Sequence, residues 1–264
     1  MKRQRLDKHL VENDLARSRS HAKELIQDRR ILIDGFPAEK PSTLVEHNDN
    51  VEVKGDLYDW VGRGGRKIWE FIERDWVTPS DRVCLDVGAS TGGFTQALLR
   101  AEAQKVYAVD VGYGQLDYSL RRDERVTVMD RYNFRHATPG DFDPSPTLFT
   151  MDVSFISTLK LIEALNSVTT EESTGLVLLK PQFEAGPDEN EQGIVTDPEV
   201  VSRVLVEVLE GWQEKNWGVQ NLEAVPLKGQ EGNQEYMALI TRGKESCLAS
   251  EEIERISREG MNQT

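Results

Sequence analysis

Asp86-Val-Gly-Ala-Ser-Thr-Gly-Gly-Phe-Thr95 follows directly on the apolar run Arg82-Val-Cys-Leu-Asp-Val87 and leads into a helical pattern, so it reads as a glycine-rich turn between a buried strand and a helix. Glycines permit a tight turn and a close backbone approach, and a helix starting there presents unpaired N–H groups. Because Ser90 and Thr91 precede the pair Gly92-Gly93, the order departs from G-x-G-x-x-G, which disfavours a dinucleotide pyrophosphate. Outward from this turn the same pattern repeats. Lys105-Val-Tyr-Ala-Val-Asp110, Val126-Thr-Val-Met129, Thr147-Leu-Phe-Thr-Met-Asp152 and Gly175-Leu-Val-Leu-Leu-Lys180 are short apolar runs separated by helical spacing. A long helix over Pro198–Lys215 carries Val201, Val204, Leu205, Val208 and Leu209 on one face. Such alternation predicts a mostly parallel sheet covered by helices, an α/β doubly wound architecture. Two further strands, near Gly218–Leu227 and Glu235–Thr241, are joined by the turn-rich Lys228–Asn233 and predict an antiparallel hairpin closing the sheet. A charged helix near Glu251–Arg258 follows.

In such a sheet ligands bind beyond the carboxyl ends of the strands. Asp110 ends the second strand, where an acid reaches ribose hydroxyls; Asp130 follows the third and is placed for an adenine edge; Asp86, in the first, is the expected neighbour of an ammonium group. A cofactor with a positive sulfur, an ammonium group and no phosphates suits these carboxylates better than NAD. The expected S-adenosylmethionine site is therefore Asp86, Gly88, Ser90, Thr91, Gly92, Gly93, Phe94, Asp110, Asp130 and Asp152. The plainer alternative for Asp86 and Asp110 is a turn-forming role at a strand end. Asp152 and Lys180 end the fourth and fifth strands, Glu235 begins the last, and Lys67 stands just ahead of the large domain. If the last strand is antiparallel, its start lies at the edge where its parallel neighbours end, and the charges converge. Lys180 is the candidate general base, favoured in that role by a nearby cation and by burial, while the carboxylates favour a purely orienting ammonium.

The first 54 residues have a different character. Leu6, Leu10 and Val11 mark one helix, Asn13-Asp14 a break, and Ala22, Leu25 and Ile26 a second helix that Ser18 or Ser20 can cap. Ile31-Leu-Ile33 before Asp34-Gly35 reads as a strand entering a turn, and Val51-Glu-Val53 as a closing strand. The expected organisation is a small α+β domain over 1–54, a glycine-rich linker over 55–66 and the α/β domain over 67–264. The net charge of −14 is unusual for a nucleic-acid partner, but residues 1–30 carry nine Lys/Arg against five Asp/Glu, a balance of +4 that leaves −18 for the rest. Arg3, Arg5, Arg17, Arg19 and Lys23 are the expected RNA contacts.

Leu6-Asp-Lys-His-Leu10, Ser18-Arg-Ser-His-Ala22, Leu25-Ile26, Ile31, Ile33, Gly35 and Lys40-Pro-Ser42 resemble an alpha-L RNA-binding domain, as found in a small-subunit ribosomal protein and some pseudouridine synthases. Gly62-Arg-Gly-Gly-Arg-Lys67, the 86–95 turn, Met151-Asp-Val-Ser-Phe-Ile-Ser157, Leu179-Lys-Pro-Gln-Phe-Glu184, Gly193-Ile-Val-Thr-Asp-Pro198 and Gly232-Asn-Gln-Glu235 are similar to the TlyA family, an FtsJ-like group of ribosomal RNA methyltransferases. The resemblance covers residues 2–242. It implies a Rossmann-like S-adenosylmethionine-dependent fold, a Lys67-Asp152-Lys180-Glu235 tetrad, 2′-O-methylation of ribosomal cytidine, and ribosomal RNA within subunits as the partner. Asp130 stands where the family usually has Glu, and Gly62 where Ser is frequent.

The rival reading is an RNA-binding assembly factor with an inactive methyltransferase domain, against which the retained tetrad and cofactor turn argue. A pseudouridine synthase would share the N-terminal module but not the fold after it. The family is sometimes labelled haemolysin, yet no basic amphipathic helix or stretch of ~20 apolar residues supports action on a membrane. With only Cys84 and Cys247, and four histidines without ligand spacing, neither a disulfide framework nor a structural metal is expected. The composition suits the cytoplasm.

Overall fold

The computed structural model describes residues 3–13, 15–16, 18–46, 49–54, 60–186, 189–190, 193–229 and 232–262. The chain divides into two units, 1–63 and 64–264.

In the first unit β1 (Gln4–Arg5) runs into α1 (Leu6–Glu12), followed by α2 (Arg19–Gln27). Ser18 is the cap of α2, its Oγ accepting from the His21 N–H at 3.1 Å, which satisfies one of the helix's unpaired first-turn donors. β2 (Ile31–Ile33) turns at Asp34-Gly35, both at positive φ, into β3 (Phe36–Pro37). β4 (Leu44–Val45) pairs with β1, and β5 (Val51–Val53) pairs with β2, both antiparallel. Leu6 and Leu10 of α1 meet Ala22, Leu25 and Ile26 of α2 over Ile31 and Val45 in one buried apolar cluster.

The second unit begins within α3 (Arg63–Glu73). After it come β6 (Val83–Val87), α4 (Gly93–Arg100), β7 (Lys105–Asp110), α5 (Tyr118–Arg121), β8 (Val126–Asp130), β9 (Leu148–Met151) and α6 (Ile162–Val168). The chain continues through β10 (Thr174–Leu179), α7 (Pro181–Glu184), α8 (Pro198–Glu214), β11 (Trp217–Ala224), β12 (Tyr236–Arg242) and α9 (Ser250–Asn262). One seven-stranded sheet runs in the order β11-β12-β10-β9-β6-β7-β8. From β10 to β8 all pairings are parallel, and β12 is antiparallel to both of its neighbours, so the sheet has the expected mostly parallel form with a closing hairpin. Helix α4 packs on β6 and β7, α8 on β11, and the tail helix α9 on α8 and β11. The tail is tied down at Ile253, which is buried, and at Ser257, whose carbonyl accepts from Tyr236 Oη at 2.8 Å.

The end of the expected 55–66 linker is helical. Residues 63–66 are helical, and Gly64 and Gly65 occupy the first turn of α3. A Cβ at Gly93 would lie 2.5 Å from the Gly65 nitrogen, so these glycines serve backbone contact rather than flexibility. Residues 55–59 lie outside the described residues.

The core under β9 and β10 is aromatic. Phe149 stacks at 6.4 Å on Trp212 and meets Trp217 edge-on at 5.3 Å, and the buried indole N–H groups are satisfied by Thr158 Oγ1 and Asn166 Oδ1. A Cβ on Gly175 would stand 2.2 Å from the Phe149 ring. Gly175→Ala should therefore destabilise the fold by about 1–3 kcal/mol, the usual cost of overpacking a rigid core. Denaturant unfolding tests this, and an unchanged midpoint would show that the ring has room to yield.

Candidate active site on the carboxyl edge of the sheet

Strand register determines what this edge presents. Val87 pairs with Val109 and with Met151, and Asp110 pairs with Asp130, so Gly88, Asp110, Asp130 and Asp152 emerge side by side. Leu179 pairs with Tyr236, which sets Lys180 abreast of Glu235. The antiparallel last strand thus returns Glu235 to the edge where its parallel neighbours end, as the sequence pattern requires.

Backbones crowd together at the glycine turn. A Cβ at Gly88 would lie 2.3 Å from the Asp152 carbonyl oxygen, so only glycine lets the exit of β9 pass over the turn. Gly64 lies against Phe94, with Asp152 Oδ2 3.8 Å from the position of its absent Cβ. The turn's own donors are spent internally. Gly88 and Ala89 N–H both donate to Val109 O, Gly92 N–H to Ala89 O, and Ser90 N–H to Asp110 Oδ2 at 2.8 Å. A pyrophosphate would find these groups taken, whereas a phosphate-free ligand bearing a sulfonium and an ammonium is matched by the carboxylates on this edge. The residues present therefore fit S-adenosylmethionine better than a dinucleotide.

The expected cofactor acids have distinct surroundings. Asp110 is partly exposed, and each of its oxygens accepts one backbone N–H, from Ser90 and from Gly112 at 2.7 Å, leaving acceptor capacity on both. Asp130 accepts from Gly114 N–H at 3.2 Å and pairs with Arg121 at 2.9 Å, which holds its carboxyl below the usual range. Ser90 and Thr91 are exposed on the turn, and Gly92, Gly93 and Phe94 are buried. Asp86 departs from its expected place as neighbour of an ammonium group. It is fully buried, with Oδ2 accepting from Thr95 Oγ1 at 2.6 Å and Oδ1 from Thr150 Oγ1 at 3.0 Å. Lying one residue inside the strand end, it ties α4 and β9 to β6 rather than facing the edge.

Two ion pairs occupy the other half of the edge. Lys67 Nζ, projecting from α3, is buried against Glu235 Oε2. Lys180 Nζ lies 2.5 Å from Asp152 Oδ1 and donates to Ser154 Oγ at 3.1 Å. Near Lys180 is a feature that the pattern of residues does not announce. Phe155 is 90% exposed, held at φ 64° in the left-handed region that non-glycine residues seldom adopt, and its ring lies 4.9 Å from that of Phe183. Phe183 in turn has Lys180 Nζ 5.8 Å from its centroid. Both phenylalanines stand in motifs quoted above, but a lone Phe in a sequence reads as core, and only its exposure marks it otherwise.

Among the expected RNA contacts, Arg3 pairs with Glu46, Arg5 and Arg19 both pair with Asp7, Lys23 is exposed on α2, and Arg17 lies outside the described residues.

The model of the FtsJ-like methyltransferase family matches residues 60–242 and that of the S4 domain residues 4–51. The chain is 40% identical over 255 residues to the 16S/23S rRNA (cytidine-2′-O)-methyltransferase TlyA of Mycobacterium tuberculosis, covering 96% of this chain and 95% of that one. The chain belongs to the TlyA family. This TlyA-family chain is also 33% identical to Hemolysin A of Brachyspira hyodysenteriae, over 89% of its own length and 98% of the relative's. A candidate hemolysin of Streptococcus thermophilus has the same fold, with a TM-score of 0.79, 31% identity, and coverage of 100% of this chain and 97% of that one. Among the described residues no helix is long and apolar enough to cross a membrane. The expected FtsJ-like methyltransferase fold preceded by a small RNA-binding domain is met, the latter as an S4 domain.

Asp86 gives this TlyA-family site a pH signature. Burial raises its carboxyl to about 7, opposed by the Thr95 and Thr150 hydrogen bonds and assisted by the charge of Asp152. Between the ordinary carboxylate range and pH 7 the folded chain binds a proton that the unfolded chain does not, so this group's contribution to stability falls as pH rises through that window and levels off above it. Asp86→Asn should flatten that decline, worth on the order of a few kcal/mol. Unfolding free energies at pH 5 and pH 8 for both proteins provide the check, and an equal decline in the variant would assign the pH dependence elsewhere.

Proposed function

We propose that this chain is a ribosomal RNA ribose 2′-O-methyltransferase acting on cytidine, with S-adenosylmethionine as donor and ribosomal RNA within ribosomal subunits as its cytoplasmic partner. The observation that carries the reading is the meeting of Asp110, Asp152, Lys180 and Glu235 on one sheet edge beside the glycine turn, with Lys67 held against Glu235. The names of the TlyA relatives support the substrate, and the S4 match supports RNA as the partner.

When bound, S-adenosylmethionine supplies a methyl group activated by a positively charged sulfur. Residues 88–94 would wall its site, Asp110 would accept from its ribose hydroxyls, and Asp130 would serve its adenine end. Lys180 hydrogen-bonds the RNA 2′-oxygen and fixes its direction of attack, a contribution that alone removes several kcal/mol from a barrier. Entering the step as the free amine, Lys180 takes the hydroxyl proton on Nζ, and Asp152, 2.5 Å away, stabilises the ammonium that forms. Lys67 and Glu235 complete the tetrad as a buried pair that confines Glu235 to its place abreast of Lys180. Phe155 and Phe183 offer apolar faces on which an unstacked base can rest.

Asp110→Ala should weaken S-adenosylmethionine binding at least tenfold, about 1.4 kcal/mol. Calorimetry gives the answer, and an unchanged affinity would remove Asp110 from the site. Lys180→Arg keeps charge and reach but cannot lose its proton. Cofactor binding should survive, and single-turnover methyl transfer to unmodified subunits should fall ~100-fold or more. An Arg variant with wild-type turnover would leave Lys180 an orienting group only. A wild-type chain that binds cofactor and subunits yet transfers no methyl group would favour the assembly-factor reading.

A further inference from the structure

Asp7 is a carboxylate without a role in the site described above. It is fully buried in the first turn of α1, yet both groups that satisfy it come from the surface. Arg5 reaches it from β1 through two nitrogens, Nε to Oδ1 at 3.0 Å and Nη2 to Oδ2 at 3.1 Å. Arg19 reaches it from the first residue of α2, Nη2 to Oδ2 at 2.7 Å. The side chains of Arg5 and Arg19 remain 47% and 59% exposed. Hydrogen bonds from Arg5 and then Arg19, working against burial, hold the Asp7 carboxyl well below the ordinary range, so it stays charged at any physiological pH.

Arginine has five N–H donors in a rigid plane, and each of these two spends only part of that set inward. Among the described residues, Asp7 is the only carboxylate paired with either. One anion between two cations leaves a net charge of +1 and two guanidinium edges at the surface whose spacing a buried group fixes. One turn along α2 from Arg19 lies Lys23, exposed and without an ion pair among the described residues, which extends the positive row. Arg3, by contrast, is neutralised by Glu46.

We propose that Arg5 and Arg19 form a single phosphodiester-binding fork for RNA, and that buried Asp7 is the positioning residue that sets its geometry. The ligand is the RNA backbone, recognised by planar N–H pairs that match phosphate oxygens. A long, loose arginine must be ordered before it can bind; here the ordering is done in the free protein, so less conformational freedom is lost on contact. The proposal rests on the reading that the N-terminal unit docks ribosomal RNA.

The test uses the full chain and methylation-deficient ribosomal subunits, with binding measured at several salt concentrations and folding followed by circular dichroism. The doubly substituted Arg5→Gln/Arg19→Gln protein should bind subunits at least tenfold more weakly, with a shallower salt dependence and unchanged S-adenosylmethionine affinity. Asp7→Asn should weaken binding by ~5- to 10-fold in the wild-type background and by nothing further in the double-Gln background, because its effect runs through the two arginines. A loss of the same size in both backgrounds would make Asp7 a stability residue alone and overturn the fork. Should Asp7→Asn fail to fold, Arg19→Lys decides the matter. Lysine keeps the charge and can pair with Asp7 but cannot present two parallel N–H groups to a phosphate, so binding should drop several-fold at unchanged thermal stability. Wild-type binding by Arg19→Lys would overturn the fork. If the double-Gln protein itself binds like wild type, the docking role of the N-terminal unit fails, a result distinct from loss of the fork alone.

Discussion

Three stretches of backbone meet at the glycine turn with no side chain between them, and the candidate active site depends on that contact. Gly93 stands against the Gly65 backbone, and Gly88 against the carbonyl of Asp152, both closer than a Cβ would allow. The first contact docks the start of α3 on the start of α4, and two residues further along α3 is Lys67. The second brings the exit of β9 over the turn, with Asp152 at the point of contact. A methyl group at either glycine would push apart elements that carry charges into the site, and no movement of a flexible side chain could relieve it, because backbone atoms are what it would strike. The turn's glycines thus serve protein-to-protein approach first, and any space left for a cofactor is a consequence.

Charge within this frame is arranged in matched pairs. Lys67 with Glu235 and Lys180 with Asp152 are little exposed, and removing one partner of such a pair leaves an unpaired charge in a poorly hydrated place, which costs far more than the pair contributes. The two pairs differ in surroundings. Lys67 is enclosed, whereas Lys180 donates to Ser154 and lies over the Phe183 ring. On the proposed reading the tetrad would divide into an inner pair that holds position and an outer pair that can exchange partners with an incoming ribose.

How far this was legible in the sequence differs from residue to residue. Strand ends were readable because buried parallel strands are apolar runs that stop abruptly at a polar residue, and Asp110, Asp152 and Lys180 each mark such a stop. Asp86 was misplaced for a related reason. It lies inside its strand, one residue before the last, and sequence spacing does not show that Thr95 and Thr150 wait on either side to satisfy it. Gly64 and Gly65 looked like a hinge because composition cannot distinguish a glycine that gives freedom from one that permits contact. Phe155 was invisible because its signal is a combination of exposure and left-handed backbone, neither of which leaves a trace in the pattern of apolar residues.

The acidity of the chain is uneven along its length: the first 30 residues carry +4 and the remainder −18. RNA affinity built from a diffuse positive surface grows with every cation and falls steeply with salt, and it is indifferent to sequence and shape. With −18 on residues 31–264, general attraction of that kind is not available to most of this chain. Near the N-terminus, where cations outnumber acids, Arg5 and Arg19 are fixed in place by a buried carboxylate. On the proposed reading, a few rigid contacts would bind a polyanion weakly wherever the phosphates are spaced at random and tightly only where RNA structure matches them, and repulsion from the acidic remainder would sharpen that difference. An acidic composition that at first argues against an RNA enzyme is, on this view, what lets a modest set of arginines discriminate.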